Sequence, residues 1–363
     1  VRLIVVVGAR PNFVKIGPLL PELERAGHDV DVAFTGSRET QRSSAGGGSV
    51  TFYGVAVASP KWFLDIGVGT AGVQTGRALI ALEELLAEET PDGVVVVGDV
   101  NSTLAAAIAA AKLHVPVIHL EAGLRCGDLT CPEEVNRVLI SRIASVHLAP
   151  AERAVINLEK ECIPAERVAF VGNIMAESVL RHLDDIKRLD AAEAFGLKKK
   201  EYVLAVVHRD ENMGNAEHLS GIMAALAHVK SPVLMPDAEG LRASLAQFEI
   251  EPGENTTVVD AVGYREMLAL ERDAMVIVTD SGGIQEEACM VGTPCVTVRP
   301  VTEHVATLEV GANRLSEPTV EDLTAAIAAA RADANGWVAP KRWDKAVSDR
   351  IVRAIRKGIG PVA

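Results

Sequence analysis

Four side chains able to move protons stand where apolar runs of the chain give way to turns. Asp99 follows Gly93–Val97 directly, in Val97-Gly98-Asp99-Val100-Asn101-Ser102. Asn101 or Ser102 is placed to cap the helix that follows, which leaves Asp99 available for chemistry. Glu121 ends the run Val115–His119 in His119-Leu120-Glu121-Ala122-Gly123-Leu124-Arg125. A carboxylate in that position is a candidate acid or base, and Arg125 beside it is a candidate substrate contact. Glu133 and Glu134 follow Pro132 at a helix start. The helix dipole accounts for one of them, and Glu133 joins the candidate acids and bases. His208 follows Tyr202–Val207 and precedes Arg209, a pair suited to phosphate or to proton transfer. Two further segments suit a phosphate. Gly8-Ala9-Arg10-Pro11 with Lys15 puts two cations at a helix start after the first apolar run. Thr279-Asp280-Ser281-Gly282-Gly283-Ile284-Gln285-Glu286-Glu287 puts small residues there, so that backbone N–H groups of Ser281, Gly282 and Gly283 can approach a diphosphate. Glu287, one turn further on, is placed to grip vicinal hydroxyls. No His/Cys cluster has metal spacing, no lysine-bearing phosphate loop is present and no G-x-G-x-x-G follows the first strand. Neither a metal nor a nicotinamide cofactor is expected.

The elements that must hold these residues alternate along the chain. Leu3–Val7, Asp31–Phe34, Gly93–Val97, Val115–His119, Val146–Leu148 and Val168–Val171 read as buried parallel strands. Helical patterns lie between them at Val14–Ala26, Val73–Glu88, Ser102–Lys112, Pro132–Ser145 and Ala151–Glu161. The alternation then restarts, with strands at Tyr202–Val207, Pro232–Met235, Thr256–Val259, Met275–Thr279 and Cys295–Val298. The fold class expected is therefore α/β, with two doubly wound domains facing a cleft. The boundaries expected are 1–175, 176–344 and a final helical segment, 345–363, packing back on the first domain. The Ser- and Gly-rich segment Ser37–Ala58 reads as a flexible surface loop.

Composition narrows the function class. The 363 residues are 48% hydrophobic and carry a formal charge of −13, which argues against nucleic-acid and anionic-membrane partners. Five scattered cysteines make no framework, which favours a reducing cytoplasm. No apolar run reaches the length of a membrane span, and no signal-peptide pattern opens the sequence.

Together the strings GARPNFVKIGPL, VVGDVNSTLAAAIAA, EAGLRCGDLTCPEEVNR, HRDENMGN and TDSGGIQEEACMVGTP resemble the non-hydrolysing UDP-N-acetylglucosamine 2-epimerases over nearly the whole chain. The resemblance implies two Rossmann-like domains of the glycosyltransferase-B type, a cytoplasmic homodimer, a UDP-sugar substrate and no cofactor. It places Arg10, Lys15, Asp99, Glu121, Glu133 and His208 at catalytic and substrate positions. It places Ser281, Gly282, Gly283, Glu287 and Arg314 at the nucleotide, with Met267 where a phenylalanine commonly lies beneath the uracil. The implied reaction removes the carbon-2 proton as UDP leaves carbon 1, then adds UDP back with protonation on the other face. Three stretches depart from the family pattern: Gly36-Ser37-Arg38-Glu39, Pro236-Asp237-Ala238 and Thr302-Glu303-His304-Val305-Ala306. The first two, with Arg209, fall where some bacterial members bind substrate as an activator, so hyperbolic kinetics are expected. The alternatives are a hydrolysing relative that releases N-acetylmannosamine, a related enzyme for a modified sugar, a glycosyltransferase, and a sugar-nucleotide sensor.

Overall fold

Fifteen strands are present in the computed structural model, which describes residues 1–37, 50–52, 55–57, 59–237, 240–332 and 336–359. In chain order they are β1 (Arg2–Val7), β2 (Asp29–Phe34), β3 (Val50–Phe52), β4 (Val55–Val57), β5 (Trp62–Phe63), β6 (Gly93–Val97), β7 (Val117–Leu120), β8 (Val146–Ala149), β9 (Val168–Phe170), β10 (Val203–Val206), β11 (Val233–Asp237), β12 (Thr256–Asp260), β13 (Val276–Thr279), β14 (Cys295–Val298) and β15 (Asn313–Ser316). The chain divides into two units. One comprises Val1–Ser178 with Lys341–Ala363, the other Val179–Pro340. Each is built on one parallel sheet, ordered β5-β2-β1-β6-β7-β8-β9 in the first unit and β12-β11-β10-β13-β14-β15 in the second. These are the two Rossmann-like α/β domains expected.

Strand order decides where a ligand can go. In the first sheet the chain works outward from β1 on one side through β2, and on the other from β6 onward, with Leu3 opposite Gly93 and Val6 opposite Val96. In the second sheet the same reversal falls between β10 and β13. A crevice opens at the carboxyl ends of such strand pairs because their following helices go to opposite faces. Strands buried on both faces must be apolar throughout, and Val94–Val97 and Val203–Val206 are. The helix Asn101–Lys112 packs against Ala71–Glu89, with Ala105, Ala106, Ala107, Ala109 and Ala110 wholly buried. Small side chains allow that close approach, which explains the alanine excess.

Several elements differ from expectation. One helix was expected over Val14–Ala26, and there are two, Arg10–Ile16 and Leu19–Arg25. Pro18 lacks the N–H that a continuous helix needs, so the run breaks at Gly17-Pro18. Within the expected loop Ser37–Ala58, β3 and β4 form an antiparallel pair, and residues 38–49, 53–54 and 58 lie outside the described residues. A helix at Ile174–Ile186 occupies part of the expected boundary region, and β15 extends the second sheet.

The chain returns to the first unit after Pro340. The Trp343 indole N–H donates to the Pro150 carbonyl, and Ser348 donates from both its N–H and its hydroxyl to Glu177, each at 2.7 Å. Val347, Ile351 and Ile355 of the helix Val347–Gly358 are fully buried. Gly172 sits at φ +89°, and a Cβ there would lie 2.0 Å from the Arg342 carbonyl oxygen, so only glycine permits this crossing.

Candidate functional site

In the first unit the reversal point lies between the ends of β1 and β6. After β1, Asn12 accepts the Ala9 N–H at 2.9 Å and steadies the turn into the helix Arg10–Ile16. Arg10 opens that helix, and its side chain lies outside the described part. From the same helix Lys15 donates its ammonium to Glu121 at 2.6 Å, with both side chains largely buried. Glu121 itself sits at φ 68°, in the left-handed region, directly after β7. A non-glycine residue there costs on the order of 1 kcal/mol, and such strain persists where surrounding structure imposes it. The turn brings the carboxylate beside Gly98, where an added Cβ would stand 3.4 Å from Glu121 Oε2.

Asp99 emerges from the neighbouring strand, since Val97 pairs with Leu120. Its carboxylate accepts from Arg137 Nε at 2.7 Å, and its backbone carbonyl accepts from Asn136 Nδ2 at 2.7 Å. Arg137 is 2% exposed and also bridges Glu134. Glu134 in turn accepts the N–H groups of Cys126 and Gly127. The two adjacent glutamates therefore differ in kind. Glu134 ties the preceding loop to the helix Pro132–Ile143, while Glu133 is half-buried and accepts from the Cys131 thiol at 2.9 Å. Arg125 is turned elsewhere, with a bidentate contact to Glu161 and a bond to Ser141. Arg137 and Asn136 were not among the residues expected from the sequence. Their signal was the helical spacing that puts Glu134 and Arg137 on one face. His119 underlies the whole arrangement. Its Nε2–H donates to the Gly98 carbonyl at 2.9 Å, and burial pushes its pKa down to about 3, so the ring is neutral.

In the second unit the reversal point is organised by Asp280, fully buried after β13. It accepts the backbone N–H groups of His208 and Arg209, each at 3.1 Å, and Asn212 Nδ2 at 2.9 Å. The loop after β10 is thereby fastened to the end of β13. The His208 ring is partly exposed, its Nε2 3.9 Å from Asp280. Ser281 then precedes the helix Gly282–Val291, which opens on Gly282 and Gly283. Their N–H groups belong to the first helical turn and have no partners within the helix. Glu287 is buried on that helix. Behind it, on Tyr264–Asp273, lies Glu271, fully buried, its pKa pushed well up by burial first and by the charge of Glu287 second. Met267 precedes Glu271 by one turn on the same helix and is half-buried, as is Arg314 in β15. Asp237, one of the departures, accepts the N–H groups of Gly240 and Leu241 and so caps the helix Leu241–Gln247. Arg38, Glu39 and Ala238 lie outside the described residues. Among the described residues no group of three His, Cys, Asp or Glu side chains could hold a metal ion, and no helix is long and apolar enough to cross a membrane.

Two parallel-sheet units, each with charged side chains gathered at its own reversal point, define an α/β enzyme of the Rossmann-like class. The chain belongs to the UDP-N-acetylglucosamine 2-epimerase family, whose model matches residues 22–356. It is 35% identical to the UDP-N-acetylglucosamine 2-epimerase of Methanocaldococcus jannaschii, over 98% of this chain and 99% of that one. It is also 35% identical to a UDP-2,3-diacetamido-2,3-dideoxy-D-glucuronate 2-epimerase of Pseudomonas aeruginosa, over 86% of this chain and 88% of that one. Among solved structures, the Methanocaldococcus jannaschii enzyme in complex with UDP-GlcNAc and UDP superposes with a TM-score of 0.87 at 34% identity, over 99% of this chain and all of that one. The Neisseria meningitidis enzyme bound to UDP-GlcNAc gives a TM-score of 0.85 at 25% identity, over 98% of this chain and 100% of that one.

Proposed function

We propose that this enzyme interconverts UDP-N-acetylglucosamine and UDP-N-acetylmannosamine without net hydrolysis. The carbon-2 hydrogen is only weakly acidic, so its removal must be coupled to departure of UDP from carbon 1. A carboxylate takes the proton while the carbon–oxygen bond to UDP breaks, which leaves a bound 2-acetamidoglucal. UDP then re-adds at carbon 1, and carbon 2 receives a proton on the opposite face. Each face needs its own proton handler, and Asp99, Glu121 and Glu133 are assigned to that work collectively. Arg10, Lys15 and His208 steady the departing diphosphate, and the Ser281-Gly282-Gly283 turn binds it. Glu287 takes the ribose hydroxyls, Met267 lies under the base, and Arg125, Arg209 and Arg314 remain candidate contacts.

The observation that carries this reading is the Lys15–Glu121 pair at a strained strand end. Lys15 donates to Glu121 at 2.6 Å and holds a buried acidic group at the end of β7. A carboxylate so held has no evident use in a protein that only binds nucleotide. A second substrate is favoured by one finding, the equal identity to the diacetamido-glucuronate epimerase, and the altered Thr302–Ala306 stretch motivates testing it. The enzyme is further proposed to act in the cytoplasm as a homodimer with hyperbolic kinetics; a sigmoidal rate curve abolished by Arg209→Ala would overturn the last of these. Incubation with UDP-N-acetylglucosamine in deuterated water tests the reaction itself. Proton NMR should show UDP-N-acetylmannosamine carrying deuterium at carbon 2. Free N-acetylmannosamine as the first product would establish the hydrolysing reaction instead.

A further inference from the structure

The Gly282 turn has a neighbour that the functions assigned above leave unused. An added Cβ on Gly282 would stand 2.6 Å from His304 Nε2, 3.1 Å from His304 Cδ2 and 3.3 Å from Glu303 Oε1. The imidazole therefore lies directly against the first residue of the helix Gly282–Val291. Its position is over-determined. The Thr302 hydroxyl accepts the His304 N–H at 3.1 Å and donates to Gln285 Oε1 at 2.8 Å. The Thr307 hydroxyl donates to the His304 carbonyl, and Asn313 donates both to Thr307 and to Gln285. Gln285 closes the network by donating to the Ser281 carbonyl.

Both ring nitrogens face carboxylates. His304 Nδ1 is 2.9 Å from Glu286, and Nε2 is 3.6 Å from Glu303. A neutral imidazole has one donor and one acceptor, so two facing carboxylates suit the doubly protonated ring. The other charges around it are also fixed. Arg299 lies 3.0 Å and Arg209 3.8 Å from Glu303. Asp280 and His208 stand beyond the turn, Glu287 lies further along the helix, and Glu271, on Tyr264–Asp273, has its pKa raised by burial and by Glu287. Glu211 also lies 3.9 Å from Arg209, so carboxylates outnumber the arginines here, and a proton on His304 lowers the negative charge that a diphosphate meets beside the helix start.

We propose that His304, as the imidazolium, is a positioning residue for the substrate diphosphate, and that substrate binding in this protein is linked to proton uptake at that ring. The inference rests on the assignment of the Ser281–Gly283 turn to the diphosphate. Proton uptake distinguishes it from a purely structural tie, since a ring that only holds the loop exchanges no proton when substrate binds.

Calorimetric titration of the full chain with UDP-N-acetylglucosamine tests it. The diphosphate of that sugar nucleotide has no proton to lose near neutrality, so any uptake belongs to the protein. Titrations in buffers of differing ionisation heat, from about pH 6 to about pH 8.5, should show uptake and an affinity that falls about tenfold as His304 loses its proton. His304→Gln should abolish both, with the weak affinity present throughout, and His208→Gln should retain the uptake. His304→Arg, which keeps a fixed charge, should bind tightly at every pH and serves where the glutamine variant folds poorly. Binding by the wild-type protein without proton uptake, or uptake that survives in His304→Gln, overturns this inference alone. No binding of the sugar nucleotide by the wild-type protein overturns the functional reading and this inference with it.

Discussion

Glu121 is one of the three carboxylates proposed to handle the proton, and its pairing with Lys15 makes it testable alone. Glu121→Gln keeps the shape and a partner for Lys15 while removing the base. Turnover should fall by about 10²- to 10⁴-fold with little change in UDP affinity, read from initial rates and calorimetry. Equal losses in both would mean a binding role. Glu271 makes the opposite kind of prediction. Burial and the charge of Glu287 raise its pKa well above the ordinary carboxyl value in the folded chain, so the unfolded chain ionises it first as pH rises. The unfolded state therefore binds fewer protons over that window, and stability contributed there is lost as pH rises. Glu271→Gln removes the loss, so its gain in urea midpoint over wild type should be larger at pH 8 than at pH 5. A gain independent of pH would contradict a neutral, buried acid.

At the scale of elements, the helix Pro132–Ile143 and the loop before it behave as one piece. Arg137→Ala leaves Glu134 buried without its cation and frees Asp99, so it should cost about 3–5 kcal/mol in denaturant unfolding as well as activity. The same loop holds two thiols. The contact with Cys131 draws the Cys126 thiol down to about 6, while that same contact, burial and Glu133 push Cys131 up. Cys126 should then be alkylated by iodoacetamide well before Cys162 at pH 7, by peptide mass mapping; Cys131→Ala should slow it. His119 governs the acid limb. Its folded pKa lies below the ordinary histidine value, so the unfolded chain binds the extra proton between about pH 6.5 and pH 3. Stability present above that window is lost as pH falls through it, and His119→Gln should flatten this part of the urea-midpoint profile.

These elements also show what the sequence made legible. The strands were readable because both faces of each are buried, so Gly93–Val97 and Val203–Val206 could hardly be anything else. The strand ends then marked Asp99, Glu121 and His208. Short or polar pieces were not readable. β15 carries Asn313 and Arg314, whose pairing with β14 depends on a distant buried network rather than on local pattern. Arg137 carried only its three-residue spacing from Glu134, which is too common to mark a buried arginine without the two carboxylates that fold around it. The roles of the two adjacent glutamates were undecidable in sequence for the same reason.

For the whole molecule, the division into units does not follow chain order. The second unit is one continuous stretch, whereas the first is assembled from both ends of the chain. Val347, Ile351 and Ile355 fill its core from the far end, and Ile351→Ala should cost about 2–4 kcal/mol, seen as a lowered melting transition. The return also sets a timetable for biosynthesis. A chain emerging from the ribosome has the whole second unit in hand, and Gly172 waiting for Arg342, before the helix Val347–Gly358 exists. During translation the second unit is then free to settle before the first, which is finished only once the helix Val347–Gly358 has emerged.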